Sequence, residues 1–89
     1  MPYISQRDRM AWAPALEKIS NVILDQGISN GDLNYLMTKL AHCYIRKHGE
    51  SYNTLSDVIK AFECAKLEFY RRHVAPYEDR KIIQNGDIP

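Results

Sequence analysis

The C-terminal third of the sequence concentrates side chains that bind anions and aromatic rings. Arg71 and Arg72 carry guanidinium groups, which form paired hydrogen bonds with phosphate or carboxylate. Tyr70 and Tyr77 offer rings on which a base can stack. A helix that serves only packing does not need this density of long polar and aromatic side chains. The pattern therefore indicates a site for an anionic, ring-bearing ligand or for a partner protein.

A proline at position 76 determines how these groups are expected to meet. The residue before a proline avoids helical geometry, so we expect the long third helix to break or kink near Ala75. A short helix from Pro76 to about Ile83 follows and returns toward the end of the long one. This geometry brings Lys81 near the arginines, where it adds a third cation.

The same segment has a plainer interpretation. Glu68 precedes Arg71 and Arg72 by three and four positions, the spacing at which helical side chains form ion pairs. Exposed pairs of this kind stabilise a helix by only about 0.3–0.5 kcal/mol each. A solvated face of salt bridges and a partner-protein surface therefore both stay open as alternatives to a ligand site.

A second candidate group lies at the start of the predicted second helix. Helix N-termini attract anions through their free N–H groups. Asn34 and Tyr35 point away from the apolar stripe of this helix and can contact the edge of a ligand. Asp32 would repel an anion, which favours a capping role for its carboxylate.

Metal and cofactor chemistry is not indicated. The histidines and cysteines form no Cys-x-x-Cys, His-x-x-x-His or His-Glu-x-x-His pattern, so no metal or other cofactor is predicted. The residues considered were His42, Cys43, His48, Cys64 and His73. The repeated Glu-x-x-Glu pairs that hold Mg²⁺ in helical pyrophosphohydrolases are also missing. An enzymatic function is therefore not favoured, although it stays open.

Size and composition predict one small domain over residues 1–89. Such a domain buries only about 60–65% of its unfolded surface, which favours self-association. Twelve Lys and Arg oppose eleven Asp and Glu, and a net charge of +1 argues against duplex nucleic acid as a partner. No apolar run approaches a membrane span, and the polar N-terminus does not resemble a signal peptide. Cys43 and Cys64 are expected to be reduced thiols in a cytoplasmic protein.

Apolar periodicity predicts an all-α fold of three main helices with a short helix at each end. Ser5 caps the short first helix, and helix one runs from about Pro14 to Gln26. Ser29 or Asn30 caps helix two, which Gly49 ends. The buried stripe expected in helix one comprises Leu16, Ile19, Val22 and Ile23. In helix two, one face carries Leu33, Leu36, Met37, Leu40 and Tyr44.

The third helix is expected to be the longest, reaching at least His73. Asn53 or Thr54 caps it, and Asp57 is the capping-box acid if the cap is Thr54. Its apolar face comprises Leu55, Val58, Ile59, Phe62, Ala65 or Lys66, and Phe69. Asn85 and Gly86 form a turn before a free tail.

Several sequence blocks resemble a family of small, functionally unassigned proteins encoded by bacteriophages and some bacteria. These blocks are Met-Pro-Tyr-Ile at the start, Gly-Asp-Leu-Asn-Tyr at 31–35, Glu-Cys-Ala-Lys-Leu-Glu-Phe-Tyr-Arg-Arg at 63–72, Ala-Pro-Tyr-Glu-Asp at 75–79 and Asn-Gly-Asp at 85–87. The resemblance implies a phage or prophage origin and a reducing, cytoplasmic setting. It brings no established activity and no site residues.

These observations lead to one principal hypothesis and two alternatives. The first is a non-enzymatic homo-oligomer that holds a small anionic nucleotide at a subunit boundary to counter host defence, by analogy with helical proteins that trap cyclic nucleotides. Its site would comprise Arg71, Arg72 and Lys81 for charge, Tyr70 and Tyr77 for stacking, and Asn34 or Tyr35 for edge contacts.

The alternatives assign the chain to different classes. One is an adaptor or inhibitor of a host protein, with an exposed apolar patch around Tyr3, Ile4 and Trp12. The other is a small hydrolase acting on nucleotides through Glu63, Glu68 or Asp79.

Overall fold

The fold is all-α, as the sequence predicts. It is known from a computed structural model that describes residues 3–89, so the first two residues of the Met-Pro-Tyr-Ile block lie outside the described part. About 85% of the described residues are helical, and none of them lies in a strand. The elements are α1 (Gln6–Gln26), α2 (Asn30–His48), α3 (Tyr52–Phe69), a π-helical turn (Tyr70–Val74) and α4 (Ala75–Asn85).

The chain divides into two compact units. The N-terminal unit spans Tyr3–Val58 and contains α1, α2 and the first residues of α3. The C-terminal unit includes Ile59–Pro89, with the rest of α3, the π-helical turn and α4. The single domain expected over residues 1–89 stays a prediction.

Helix α1 is one continuous element, so the prediction of a short separate first helix is wrong. Ser5 caps it as expected, because its hydroxyl accepts the N–H of Asp8 at 3.1 Å. Pro14 then lies inside the helix instead of beginning a new one. A proline removes one backbone donor, but the strong helix formers on both sides, Ala13 and Ala15 among them, favour continuation.

Helix α2 begins with a complete capping box. The Ser29 hydroxyl accepts the N–H of Asp32, and the Asp32 carboxylate accepts the N–H of Ser29, both at 3.0 Å. This confirms Ser29 as the cap and gives Asp32 the structural role that its charge suggests. Gly49 ends the helix with a φ of 87°, a conformation that glycine adopts without strain.

Helix α3 begins earlier than predicted, and its cap is Ser51 instead of Asn53 or Thr54. Ser51 accepts the N–H of Thr54 at 3.1 Å, while Thr54 Oγ1 accepts the N–H of Ser51 at 2.9 Å. Threonine therefore replaces the acid of an ordinary capping box. Asp57 instead accepts a hydrogen bond from the Tyr44 hydroxyl at 3.1 Å, which joins α2 to α3 within the N-terminal unit.

The predicted irregularity near Pro76 takes the form of a π-helical turn. The N–H of Ala75 donates to the carbonyl of Tyr70, five residues earlier, and Ala75 keeps helical dihedrals (φ −60°, ψ −47°). The extended geometry expected before a proline is therefore not adopted. A proline in a regular α-helix clashes with the carbonyl four residues before it. The wider π turn allows the chain to stay helical through this point and to continue to Asn85.

The apolar stripe of helix one is not buried, contrary to expectation. Among residues 3–89 no side chain is buried, and the stripe positions of all three main helices are exposed or half-buried. A helix stripe needs a facing surface, and the described chain does not supply enough of one. None of the described helices is both long and apolar enough to cross a membrane.

The capping box of α2 predicts a pH dependence. Hydrogen bonds from the backbone and side chain of Ser29 lower the pKa of Asp32 from its ordinary value of 3.8. A lowered pKa means that the cap contributes stability above pH 3.8 and loses it as the pH falls through the lower value of the folded state. Circular dichroism should show that Asp32→Asn lowers the thermal midpoint at pH 6. The midpoint of this variant should also fall less than that of the unmodified protein when the pH is lowered.

The control for this experiment is Glu17→Gln, which removes a carboxylate from the middle of α1. We expect the thermal midpoint of this variant to change with pH in the same way as that of the unmodified protein. An Asp32→Asn protein with an unchanged pH profile would contradict a stabilising role for the Asp32 charge.

Candidate functional site

Glu68 anchors the polar face at the junction of α3 and the π turn. Its carboxylate accepts two hydrogen bonds from Arg71 Nη2, at 3.0 and 3.1 Å, and one from Arg72 Nε. The Glu68 side chain is 20% exposed, whereas that of Arg71 is 66% exposed. The ion pairs predicted from the i,i+3 and i,i+4 spacing are therefore formed, and most of the Arg71 side chain still faces solvent.

The two arginines also control the ionisation of Glu68. Burial raises the pKa of this carboxyl, but the hydrogen bonds and positive charges of Arg71 and Arg72 outweigh burial and lower it. Glu68 is thus an anion at neutral pH, held as an acceptor between two cations. This arrangement does not suit a general base, which needs a pKa nearer the working pH.

A side-chain hydrogen bond joins Tyr70, in the π turn, to α4. The Tyr70 hydroxyl donates to Glu78 Oε1 at 2.6 Å, eight residues further along the chain. This bond and the charges of Glu78 and Asp79, together with partial burial, raise the pKa of Tyr70 above its ordinary value of 10. The bond holds the phenol beside α4, although nearly half of the residue stays exposed.

Tyr77 lies on α4, and two cationic side chains of the same helix lie close to its ring. The Arg80 guanidinium carbon lies 5.8 Å and the Lys81 ammonium 5.4 Å from the centroid of its ring. Lys81 also donates to Gln84 Oε1 at 3.2 Å. The Tyr77 residue is 53% exposed, so this cluster combines an accessible aromatic residue with two positive charges.

A depression on the polar face can receive part of a ligand. A shallow depression of about 190 Å³ is lined by Ala65, Glu68, Phe69, Arg72 and His73. The centroids of the Phe69 and His73 rings, which both line it, lie 4.8 Å apart. Pockets for drug-sized ligands usually measure about 300–1,000 Å³, so this depression can hold only part of such a molecule.

Asn34 and Tyr35 belong to the other compact unit. Thr38 Oγ1 donates to the Asn34 carbonyl at 2.9 Å, and the Lys39 ammonium lies 6.0 Å from the centre of the Tyr35 ring. Tyr35 lines a depression of about 360 Å³ between α1 and α2, together with Ile19, Ile23 and Leu36 among others.

Five of the seven predicted ligand-binding residues therefore occur on one continuous segment of the C-terminal unit. These are Tyr70, Arg71, Arg72, Tyr77 and Lys81. Asn34 and Tyr35 lie in the N-terminal unit and are described with that unit alone. A ligand-binding role for these residues stays a prediction.

Two of the three residues of the hydrolase hypothesis, Glu63 and Glu68, are engaged in ion pairs. Glu63 pairs with Lys66 at 3.2 Å, and Glu68 pairs with the two arginines. The described residues bring together no group of three or more His, Cys, Asp or Glu side chains that could hold a metal ion. The hydrolase hypothesis stays untested by this geometry.

Comparison with known sequences places the chain in a family. A family profile described as a domain of unknown function, DUF6899, matches residues 1–88. The chain belongs to this family. No curated protein and no solved structure matches it. Membership of DUF6899 confirms the expectation of an uncharacterised family, and a functional assignment has to come from the residues themselves.

Sequence reasoning missed two members of the polar face in this DUF6899 chain. Arg80 follows Tyr77 by three positions, a helical spacing that could have identified the contact. Glu78, the partner of Tyr70, follows it by eight positions, and a regular α-helix does not bring such a pair together. Only the π turn reveals that second contact.

The Tyr70–Glu78 hydrogen bond predicts how Tyr70 titrates. Because the bond stabilises the protonated phenol, its contribution is present below pH 10 and disappears as the pH rises through the raised pKa. NMR of ¹³C-labelled tyrosine, assigned with Tyr70→Phe, should show that Tyr70 ionises above its ordinary value. Glu78→Gln should move this pKa back toward 10.

Asp79→Asn is the matched control, because Asp79 acts on Tyr70 through charge alone. A larger pKa change in Asp79→Asn than in Glu78→Gln would show that the hydrogen bond is not the main cause.

Proposed function

We propose that this protein is a non-enzymatic binding protein whose C-terminal unit takes a small anionic nucleotide. The observation that carries the proposal is the half-exposed Tyr77 ring with the cations of Arg80 and Lys81 within 6 Å of it. A base can stack on such a ring while its phosphates approach the neighbouring cations. Binding of this kind needs no catalytic group.

Glu68 contributes to the proposed site by holding the arginines in place. Each guanidinium group loses less conformational entropy on binding a phosphate if its position is already fixed. The Glu68 carboxylate also cancels part of the positive charge of the two arginines, so a single phosphate gains little binding free energy from them. A ligand with two or three phosphates is therefore the better match, which favours cyclic di- or trinucleotides over mononucleotides.

The proposed ligand needs a second surface to enclose it. The depression beside Arg72 is about 190 Å³, which is smaller than a pocket for a dinucleotide. A homo-oligomer would complete the site by placing the polar faces of two chains on either side of the ligand. This is the reason for placing the ligand at a subunit boundary.

The biological setting is part of the same proposal. The sequence blocks that resemble phage-encoded proteins support a phage or prophage origin, in which trapping a nucleotide signal would counter host defence. Cys43 and Cys64 are both free thiols, as is usual in the reducing cytoplasm.

Calorimetric titration with a panel of cyclic di- and trinucleotides tests the proposal. We expect at least one to bind at about 100 μM or below. Tyr77→Ala should weaken that binding roughly tenfold through lost stacking. A combined Arg71→Ala and Arg72→Ala variant should weaken it further, because two phosphate-binding groups are removed.

A charge-matched control separates a site from general electrostatic attraction. The combined variant Arg7→Ala and Lys60→Ala removes the same charge from positions outside the polar face. Its affinity should stay within about twofold of that of the unmodified protein. No binding by any member of the panel, or equal losses in the two double variants, would retire the nucleotide proposal.

A second candidate function, an adaptor that binds a host protein, is favoured by the exposed N-terminal residues. Tyr3, Ile4 and Trp12 all present substantial apolar surface in the described chain. Exposed aromatic and aliphatic residues of this kind are typical of protein-binding surfaces.

Affinity capture from a bacterial lysate tests this candidate with matched variants. Ile4→Asp should lose a specific partner, because a charge in an apolar contact is costly to desolvate. Ile88→Asp makes the same change at the exposed C-terminal end and should retain it. The adaptor candidate fails if no specific partner is found, or if both variants lose it equally.

A further inference from the structure

We propose that the apolar face of α1 is covered by a second copy of this chain. This face, the α1 face, comprises Trp12, Leu16, Ile19, Val22 and Ile23, which recur at helical spacing. Trp12 is 62% exposed, and only Ile23 of the five is half-buried. The inference concerns the N-terminal unit and does not depend on nucleotide binding by the C-terminal unit.

The α1 face continues into the depression between α1 and α2. That depression has a volume of about 360 Å³ and is lined by Ile19, Val22, Ile23, Ile28 and Leu36 among others. Its volume is large enough to accept one or two bulky apolar side chains from outside. The stripe and the depression thus form one continuous surface with both projecting and recessed parts, as an interlocking helical interface requires.

The amount of exposed surface matches what an obligate dimer buries. A compact monomer of 10.3 kDa exposes about 5,400 Å², whereas this chain exposes 8223 Å². The excess is roughly 2,800 Å² per chain, or about 5,600 Å² for two chains, and the largest obligate homodimer interfaces bury about 5,000 Å² or more in total. A second copy of this chain therefore has enough area to cover most of the excess.

Charge is compatible with association between identical chains. The formal net charge is only +1, so two copies repel each other weakly. The α1 face itself carries no charged side chain, and the depression has one cation, Lys18, and one anion, Asp32, in its lining. A surface with both signs at its edge is complementary to itself in a two-fold interface.

The availability of the partner in the cell also favours a second copy over a different protein. A chain of 89 residues with no buried side chain in its described part cannot rely on its own core for stability. The covering surface must then be present wherever the chain is made. A second copy is made wherever the chain is made, and in obligate dimers folding and association are coupled, so stability depends on the concentration of the chain.

Analytical ultracentrifugation of the purified full chain without nucleotide tests the inference. Between roughly 1 and 100 μM the sedimenting species should have at least twice the mass of one chain. Leu16→Glu places a charge on the α1 face and should weaken association at least tenfold. Leu24→Glu makes the same change at an 83% exposed position on another side of α1, and should leave association within about twofold.

A second measurement keeps the inference testable if Leu16→Glu fails to fold. Trp12 is the single tryptophan, so its emission reports on the α1 face alone. In the unmodified protein we expect emission at shorter wavelength than that of a solvated indole, with a shift to longer wavelength on dilution. A single-chain mass at all concentrations, or association lost in Leu24→Glu but retained in Leu16→Glu, would overturn the inference.

Discussion

The reciprocal hydrogen bonds at the helix starts define where the elements of this chain begin. Ser29 with Asp32, and Ser51 with Thr54, each satisfy backbone N–H groups that a helix start otherwise leaves without an intrahelical acceptor. Because no side chain of residues 3–89 is buried, such local contacts carry an unusual share of the order within one chain. Long-range apolar packing, which stabilises most small domains, contributes little within residues 3–89.

The C-terminal unit combines fixed charges with accessible rings. Glu68 holds Arg71 and Arg72, and Glu78 holds Tyr70, so three of the five residues that sequence singled out there already have acidic partners. Tyr77 instead has cations beside its ring. The unit therefore presents a polar surface whose charged groups are held in place and whose aromatic rings stay accessible.

Local sequence rules predicted what depends on a few neighbouring residues. Ser29, Gly49 and the pairing of Glu68 with the arginines were predicted because each follows from a spacing of four residues or fewer. The cap at Ser51 was missed because a threonine occupies the position where the rule expects an acid. The continuity of α1 through Pro14 was missed because the propensities of many residues outweigh one absent donor.

The π turn fixes the rotational phase of α4 relative to the end of α3. One additional residue per turn rotates everything after it by about 100° compared with an uninterrupted α-helix. Deleting one residue from the Tyr70–Val74 turn would restore regular winding, and the Pro76 ring would then clash with the carbonyl four residues before it. The spacing between the last two sequence blocks is consequently a constraint in its own right: substitutions there can be absorbed, but a change in length cannot.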